Sequence, residues 1–172
     1  MTATVALIGI SGAGKSKVGR ALADRLGAPL VDVDAEVERR TGRSIADLFA
    51  SDGEPAFRAL ERDVTIDALA RPGVVSLGGG APMTPAVAEA LRHGVHVVWL
   101  RVSPEVAASR VDGDVQRPLI GGHDALAKLQ RMLHERGAVY ADLATQVVDA
   151  DSGDLDAKVD AILASLTPEA TA

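Results

Sequence analysis

The chain has 172 residues, a length that predicts one domain with one hydrophobic core. Its net charge of −6 argues against a general nucleic-acid-binding protein, which needs a basic face, and the lack of cysteine excludes disulfide bonds and cysteine-based zinc sites. No apolar stretch approaches the roughly 20 residues of a membrane span, and the amino terminus runs directly into a strand pattern, so we expect a soluble, cytoplasmic protein without a membrane partner.

Short apolar runs predict five strands, at residues 4–9, 30–33, 74–77, 95–100 and 146–148. Between and after them, apolar residues recur with a helical period and predict helices at residues 15–26, 35–40, 44–49, 54–70, 84–91, 104–110, 125–136 and 155–166. Gly27 ends the first helix, and Ser44 is a candidate cap for the third.

Strands alternate with helices along the whole sequence. This order predicts an α/β fold of three layers, in which a central five-stranded parallel sheet is covered on both faces and binds ligands at the carboxyl ends of its strands. No repeat or linker divides residues 1–172. Residues 112–124 are polar and rich in glycine, which predicts an ordered loop or lid, and residues 167–172 predict a frayed tail.

The segment Gly9–Ser16 (GISGAGKS) fits the phosphate-binding pattern G-x-x-x-x-G-K-[ST]. Its glycines let backbone N–H groups surround a phosphate, Lys15 can reach the β- and γ-phosphates, and the Ser16 hydroxyl can bind Mg²⁺. The alternative is a glycine-rich turn without a ligand, but the position between a strand and a helix favours nucleotide binding. The chain contains no asparagine, so the guanine-reading Asn-Lys-x-Asp motif of GTPases is absent.

Asp32 and Asp34 close the second predicted strand as D-V-D. Because side chains alternate along a strand, both carboxylates are expected on one side, at the end of the sheet where ligands bind. Phosphoryl transfer to a hydroxyl uses one carboxylate near the metal and one that orients the acceptor. The alternative is that both aspartates cap the following helix.

Other candidates each have a structural alternative. Arg58 suits an i,i+4 pair with Glu54, and Arg136 lies near a helix end, where a cation is favourable by itself. Arg117, in the predicted lid, can stabilise a transferring phosphoryl group or be an exposed loop residue. The glycines 78–80 follow a strand and indicate that a substrate approaches the backbone closely, or that a turn packs tightly there.

Taken together and in order, these motifs resemble the shikimate kinase family over nearly the full chain. The resemblance rests on the phosphate-binding loop, D-V-D, T-G-R-S-I-A-D-L-F at 41–49, D-G-E-x-x-F-R-x-L-E at 52–61, L-G-G-G-A at 77–81, R-P-L at 117–119, and Arg136 ahead of Tyr140. It implies a nucleoside-monophosphate-kinase-like P-loop fold with a helical substrate-binding segment at about 32–61 and a lid at about 112–124. It also implies transfer of the γ-phosphoryl group of ATP, with Mg²⁺, to the 3-hydroxyl of shikimate, a step of aromatic amino-acid biosynthesis.

The resemblance also implies roles on the acceptor side. Asp34 would hold the acceptor hydroxyl and act as its base. Arg58 and Arg136 would bind the shikimate carboxylate, and Glu61 would hold Arg58 in place. The Gly79 N–H would contact a ring hydroxyl, within a substrate-binding loop formed by Gly78, Gly79 and Gly80.

On the nucleotide side, the resemblance implies that Ser16 binds Mg²⁺ and that Asp32 lies in the water shell of the ion. Lys15 and Arg117 would act on the phosphates during transfer, and Arg110 would stack on adenine. The implied ATP-binding residues are Gly12, Ala13, Gly14, Lys15, Ser16, Lys17, Arg110 and Arg117.

Three positions depart from the family pattern. Lys17 stands where threonine is common, Ala138 stands where proline is usual, and no arginine lies within 151–154, where the family often places one near adenine. Two other functions remain open at this point: another small-molecule kinase of the same fold, such as a gluconate or nucleotide kinase, and a catalytically silent nucleotide-binding regulator. The expected partners are ATP and shikimate, without nucleic acid, and the expected state is a monomer.

Overall fold

The computed structural model describes residues 3–111 and 124–166. Its strands are β1 (Thr4–Ile8), β2 (Leu30–Asp32), β3 (Gly73–Ser76), β4 (Val95–Arg101) and β5 (Gln146–Asp149). Its α-helices are α1 (Lys15–Leu26), α2 (Val33–Thr41), α3 (Ile45–Asp52), α4 (Glu54–Leu69), α5 (Pro85–Leu91), α6 (Pro104–Val111), α7 (Ala125–Leu143) and α8 (Leu155–Leu166). A short 3-10 helix spans Ala81–Met83.

The strands form one five-stranded sheet in the order β2-β3-β1-β4-β5, and every pairing is parallel. The central strand β1 is buried along its whole length, because helices cover both faces of a parallel sheet. The predicted α/β fold with a central five-stranded parallel sheet is confirmed. The order places the carboxyl ends of β1, β2 and β3 side by side, and the loops that follow them border one cavity.

Two groups of helices pack on the sheet. Helix α1 packs on β3 and against α8, whereas α4 and α5 pack against each other, on β3 and β4 respectively, and α7 packs on β4. The buried core consists mainly of Ala, Val, Leu and Ile, with Phe57 and Tyr140 as its buried aromatic residues. Helices α2 and α3 connect β2 to α4 and form the helical segment that borders the cavity.

Several predicted boundaries differ from the structure by a few residues, among them the end of α3 at Asp52, and two of the differences have a clear local cause. Strand β2 ends at Asp32, whose side chain accepts a hydrogen bond from the Ala35 N–H at 3.3 Å and so begins α2 at Val33. Helix α7 does not end at Arg136 but continues through Gly137 to Leu143. A glycine inside a helix costs about 1 kcal/mol relative to alanine, and the burial of Tyr140 and Leu143 in the next two turns offsets this cost.

The predicted lid residues 112–123, with Arg117, and the predicted tail 167–172 lie outside the described residues. The Ser44 cap is confirmed, because its side chain accepts a hydrogen bond from the Asp47 N–H at 3.1 Å. Within 3–111 and 124–166, the structure contains no helix that is both long and apolar enough to span a membrane.

Candidate active site

A cavity of about 660 Å³ lies at the carboxyl ends of β1, β2 and β3. One side is formed by the phosphate-binding loop and the start of α1, and the other by α2, α4, the glycines 78–80 and α7. The cavity therefore has a nucleotide half and an acceptor half. It brings together the predicted site residues of the described ranges, namely Gly12, Ala13, Gly14, Lys15, Ser16, Lys17, Asp32, Asp34, Arg58, Glu61, Gly78, Gly79, Gly80, Arg110 and Arg136.

The phosphate-binding loop joins β1 to α1, as its pattern predicts. Gly12 has a φ of +84° and packs so closely on α6 that a Cβ there would lie 2.7 Å from the Ala107 carbonyl oxygen, so only glycine fits. Gly14 precedes α1, and no side chain caps that end of the helix. Backbone N–H groups at the start of α1 are therefore oriented to bind a phosphate, and the helix dipole favours an anion there.

Lys15 and Ser16 supply polar side-chain groups to the nucleotide half. The Lys15 Nζ donates hydrogen bonds to the carbonyl oxygens of Gly9 at 2.7 Å and Ile10 at 3.1 Å, which keeps the ammonium group against the loop. The Ser16 hydroxyl donates to the Asp32 carboxylate at 2.6 Å. This contact joins the start of α1 to the end of β2 across the floor of the cavity.

Asp32 and Asp34 do not lie together on a strand, although the D-V-D pattern predicted that they would. Asp32 is the cap of α2, and Asp34 lies in the first turn of that helix, so the alternation of a strand does not relate them. The capping alternative is thus correct for Asp32, which also accepts the Ser16 hydrogen bond. Both side chains nevertheless border the cavity.

The residues around Ser16 fit a magnesium ion bound with a nucleotide. Within the described part of the chain, no three or more Asp, Glu or His side chains are grouped to hold an ion by themselves. Mg²⁺ in phosphoryl-transfer sites takes one or two protein oxygens, waters and the substrate phosphates. The hydroxyl of Ser16 and the carboxylate of Asp32, 2.6 Å apart, offer such oxygens beside the phosphate-binding loop.

In the acceptor half, Arg58 is held by two carboxylates of its own helix. Its guanidinium lies 2.8 Å from Glu61 and 3.3 Å from Glu54, so the predicted Glu54 pair is present but is the longer of the two. Glu61 is only 1% exposed. Burial raises the pKa of Glu61 above 4.5, the charge of Arg58 opposes this rise, and the charge of Asp34 adds to it.

The glycines 78–80 give these charged side chains room. A Cβ at Gly78 would lie 2.5 Å from the Glu61 Oε2, and a Cβ at Gly80 would lie 2.6 Å from both terminal nitrogens of Arg58. The groups that approach the backbone here are therefore side chains of the protein itself. A larger residue at either position would displace Arg58 or its partner.

Arg136 reaches the same loop from α7. A Cβ at Gly79 would lie 3.1 Å from its Nη1. Four residues later, the Tyr140 hydroxyl donates a hydrogen bond to the Gly79 carbonyl oxygen at 2.5 Å, and its ring lies 5.8 Å from that of Trp99. Two guanidinium groups, from α4 and α7, thus face one short loop. Sequence reasoning assigned no role to Tyr140, although its spacing of four residues from Arg136 places both on one face of the helix.

Arg110 and Lys158 lie at the far end of the nucleotide half. Arg110 donates hydrogen bonds to the carbonyl oxygens of Gly12 at 3.0 Å and Ala150 at 2.8 Å, which connects the phosphate-binding loop to the segment after β5. Lys158 also borders the cavity, and burial followed by the charge of Arg110 lowers its pKa below 10.5. Sequence reasoning missed Lys158, because it lies on a helix without any motif.

The fold and the site together define an α/β P-loop protein in which two arginines border the acceptor half of the cavity. The family model of shikimate kinase matches residues 11–167. The shikimate kinase of Thermobifida fusca is 52% identical over 143 residues, which cover 83% of this chain and 82% of that protein. The shikimate kinase of Mycobacterium tuberculosis is 44% identical over 96% of this chain and 94% of its own length.

A solved structure of the shikimate kinase from Acinetobacter baumannii, in complex with shikimate, is also similar. Its TM-score is 0.94, with 31% identity, and the match covers 100% of this chain and 97% of that one. The chain therefore belongs to the shikimate kinase family.

Proposed function

We propose that the protein transfers the γ-phosphoryl group of ATP to the 3-hydroxyl of shikimate, giving shikimate 3-phosphate and ADP. The observation that carries this proposal is the acceptor half of the cavity. Arg58 and Arg136 converge there on the glycine loop, opposite the phosphate-binding loop, and Asp34 borders the same space. Paired guanidinium groups bind a carboxylate strongly, and shikimate is a small acid with ring hydroxyls.

The chemistry follows from this arrangement. The carboxylate of Asp34 accepts the proton of the 3-hydroxyl while the hydroxyl oxygen forms a bond to the γ-phosphorus in line with the bond that breaks to the β-phosphate oxygen. ADP leaves with that oxygen, and no phosphoenzyme forms. Lys15 and the N–H groups at the start of α1 stabilise the phosphate charge. Arg117, from the predicted lid, is proposed to do the same when the lid excludes water.

The binding roles complete the proposal. The glycine loop supplies backbone N–H groups to a ring hydroxyl, and Glu61 fixes the orientation of Arg58 through their contact of 2.8 Å. Mg²⁺, bound by Ser16 and by Asp32 through water, would neutralise charge on the β- and γ-phosphates. The predictions of one kinase domain over residues 1–172, a cytoplasmic location and a monomer stay predictions.

A coupled assay of ADP release tests the proposal. Mg-ATP is supplied with shikimate, with gluconate, with AMP, or with no acceptor. Of these acceptors, we expect only shikimate to cause strong ADP release. Phosphorus NMR of the product should show a phosphate on the 3-oxygen. Release with gluconate or AMP instead would replace the acceptor but keep the kinase. A folded, ATP-binding protein without stimulated release would indicate a nucleotide-binding regulator.

A further inference from the structure

Tyr140 is a buried, ionisable residue that the proposed mechanism does not use. It is 0% exposed and packs in the core, and its hydroxyl contacts Gly79, which borders the acceptor half of the cavity. A buried phenol needs a hydrogen-bond partner to offset its desolvation, and the partner it has is the backbone of the glycine loop. This placement indicates a role beyond filling space.

The hydroxyl fixes the orientation of one peptide group. It donates to the Gly79 carbonyl oxygen at 2.5 Å. Because the peptide bond is planar and trans, holding this carbonyl also fixes the N–H of Gly80, which points in the opposite direction. Gly80 has no side chain to restrict its backbone, and it borders the cavity. The turn closed by the Ala81 N–H on the Gly78 carbonyl oxygen at 3.1 Å restricts this peptide, and the Tyr140 hydrogen bond adds a side-chain constraint to it.

The same hydroxyl also contacts Arg136, one helical turn earlier. Burial raises the pKa of Tyr140 to about 12, while the charge of Arg136 and its hydrogen bond with the hydroxyl act in the opposite direction. A phenol oxygen can accept one hydrogen bond and donate another. Arg136 and Tyr140 thus meet beside Gly79, because a Cβ at that glycine would lie 3.1 Å from the Arg136 Nη1 and 3.6 Å from the Tyr140 hydroxyl oxygen.

The ring itself has little freedom. It packs 5.8 Å from Trp99 of β4, on a helix that contacts both β4 and the 3-10 helix after the glycine loop. With a pKa of about 12, the hydroxyl keeps its proton at neutral pH and remains a donor. The sheet thereby provides a fixed point for both Arg136 and the loop.

We propose that Tyr140 is a positioning residue for the acceptor, which holds the Arg136 guanidinium and the 79–80 peptide of the glycine loop in one relative geometry. This inference rests on the proposed function, because it assumes that these two groups bind the acid. It predicts that the hydroxyl acts on acceptor binding and not on nucleotide binding.

The test is Tyr140→Phe, which removes the hydroxyl and keeps the ring. We expect the KM for shikimate, and its Kd measured by calorimetry, to rise about tenfold, as for the loss of one charge-assisted hydrogen bond. The KM for ATP should stay within about twofold of the wild type, because among the described residues no hydrogen bond of the nucleotide half involves Tyr140. Thr4→Val is the matched control: the Thr4 hydroxyl is also buried and donates to the Arg71 carbonyl at 2.9 Å, at the opposite end of β1.

A double variant tests the link to Arg136. If the hydroxyl acts through this arginine, Tyr140→Phe should raise the KM for shikimate much less in an Arg136→Lys background than in the wild type. An unchanged shikimate Kd in Tyr140→Phe would overturn the proposal. Equal rises in both KM values with a lowered Tm would also overturn it, since a purely structural hydroxyl predicts that result. A wild type without shikimate-dependent turnover would instead refute the proposed function.

Discussion

The two halves of the cavity are built in different ways. The nucleotide half comes mainly from one continuous segment, Gly9–Ser16, which presents backbone N–H groups and the start of one helix. The acceptor half is assembled from side chains of α2, α4 and α7 around the glycine loop. The first half depends on backbone shape, which one short motif encodes. The second depends on side chains that distant parts of the chain bring to one short loop.

This difference indicates which substitutions should affect which substrate. A side chain of the acceptor half should change acceptor binding or transfer and leave the KM for ATP almost constant. A side chain at the far end of the nucleotide half should do the reverse. The following variants test this separation of acceptor and nucleotide effects. A variant that changes the kinetic constants for both substrates equally would contradict it.

The largest effect is expected for Asp34→Asn. The amide cannot accept the proton of the hydroxyl, so kcat should fall by about a thousandfold, within the usual range for loss of a general base. The Kd for ATP, measured by calorimetry, should remain unchanged. Asp24→Asn, an exposed aspartate on α1, is the control and should have wild-type activity. Retention of more than a tenth of the activity by Asp34→Asn would remove this residue from the role of base.

The second-largest effect is expected for Arg58→Ala. Loss of a guanidinium that binds a carboxylate should raise the KM for shikimate about a hundredfold, with little change for ATP. Arg62→Ala is the control one turn further along α4, since Arg62 pairs with Asp63 at 2.9 Å and its side chain is 43% exposed. Comparable losses for shikimate and ATP would argue against the carboxylate-binding role.

Glu61→Gln should have an intermediate effect with a distinctive pH dependence. Arg58 loses its charged partner, so the KM for shikimate should rise about tenfold. The raised pKa means that folded Glu61 holds its proton more tightly than the unfolded chain does. Wild-type stability should therefore decline relative to Glu61→Gln as the pH rises above 4.5. Urea unfolding at several pH values measures the difference, and a constant difference would contradict the assigned pKa direction.

The smallest effect is expected for Lys158→Met on the nucleotide side. Lys158 is partly solvated beside Arg110, so removing its charge should raise the KM for ATP only about threefold. The KM for shikimate should not change. Lys128→Met, on α7 and outside the cavity, is the matched control. A larger change for shikimate than for ATP would show that the two halves are not separate at this end.

The contrast between the two halves of the cavity also explains which features could be predicted from the sequence. The sheet, the helix positions and Gly9–Ser16 follow from local patterns, because buried parallel strands read as apolar runs and the phosphate-binding loop is continuous. The start of α2 was mispredicted because Asp32 serves as a helix cap, and the end of α7 because tertiary burial outweighs a glycine.

On the acceptor side, residue types alone left Arg58 between an ordinary helical ion pair and a substrate ligand. Its contact with Glu61 was inferred only from the family resemblance, and the structure contains it. The way in which Gly78 and Gly80 accommodate Glu61 and Arg58 could not be predicted, since it depends on distances between segments far apart in the sequence. Lys158 lacked any sequence signal of function for the same reason, and the only signal for Tyr140 was its spacing of four residues from Arg136.

The packing of Trp99 on Tyr140 has a spectroscopic consequence. The chain contains one tryptophan and one tyrosine, and their rings lie 5.8 Å apart beside the acceptor half of the cavity. Intrinsic emission therefore comes from a single indole, and light absorbed by the phenol is transferred to it with high efficiency at this separation. The protein thus carries an unlabelled optical reporter whose phenol contacts Gly79, and we expect its emission to change when an acceptor binds, which stopped-flow experiments can measure.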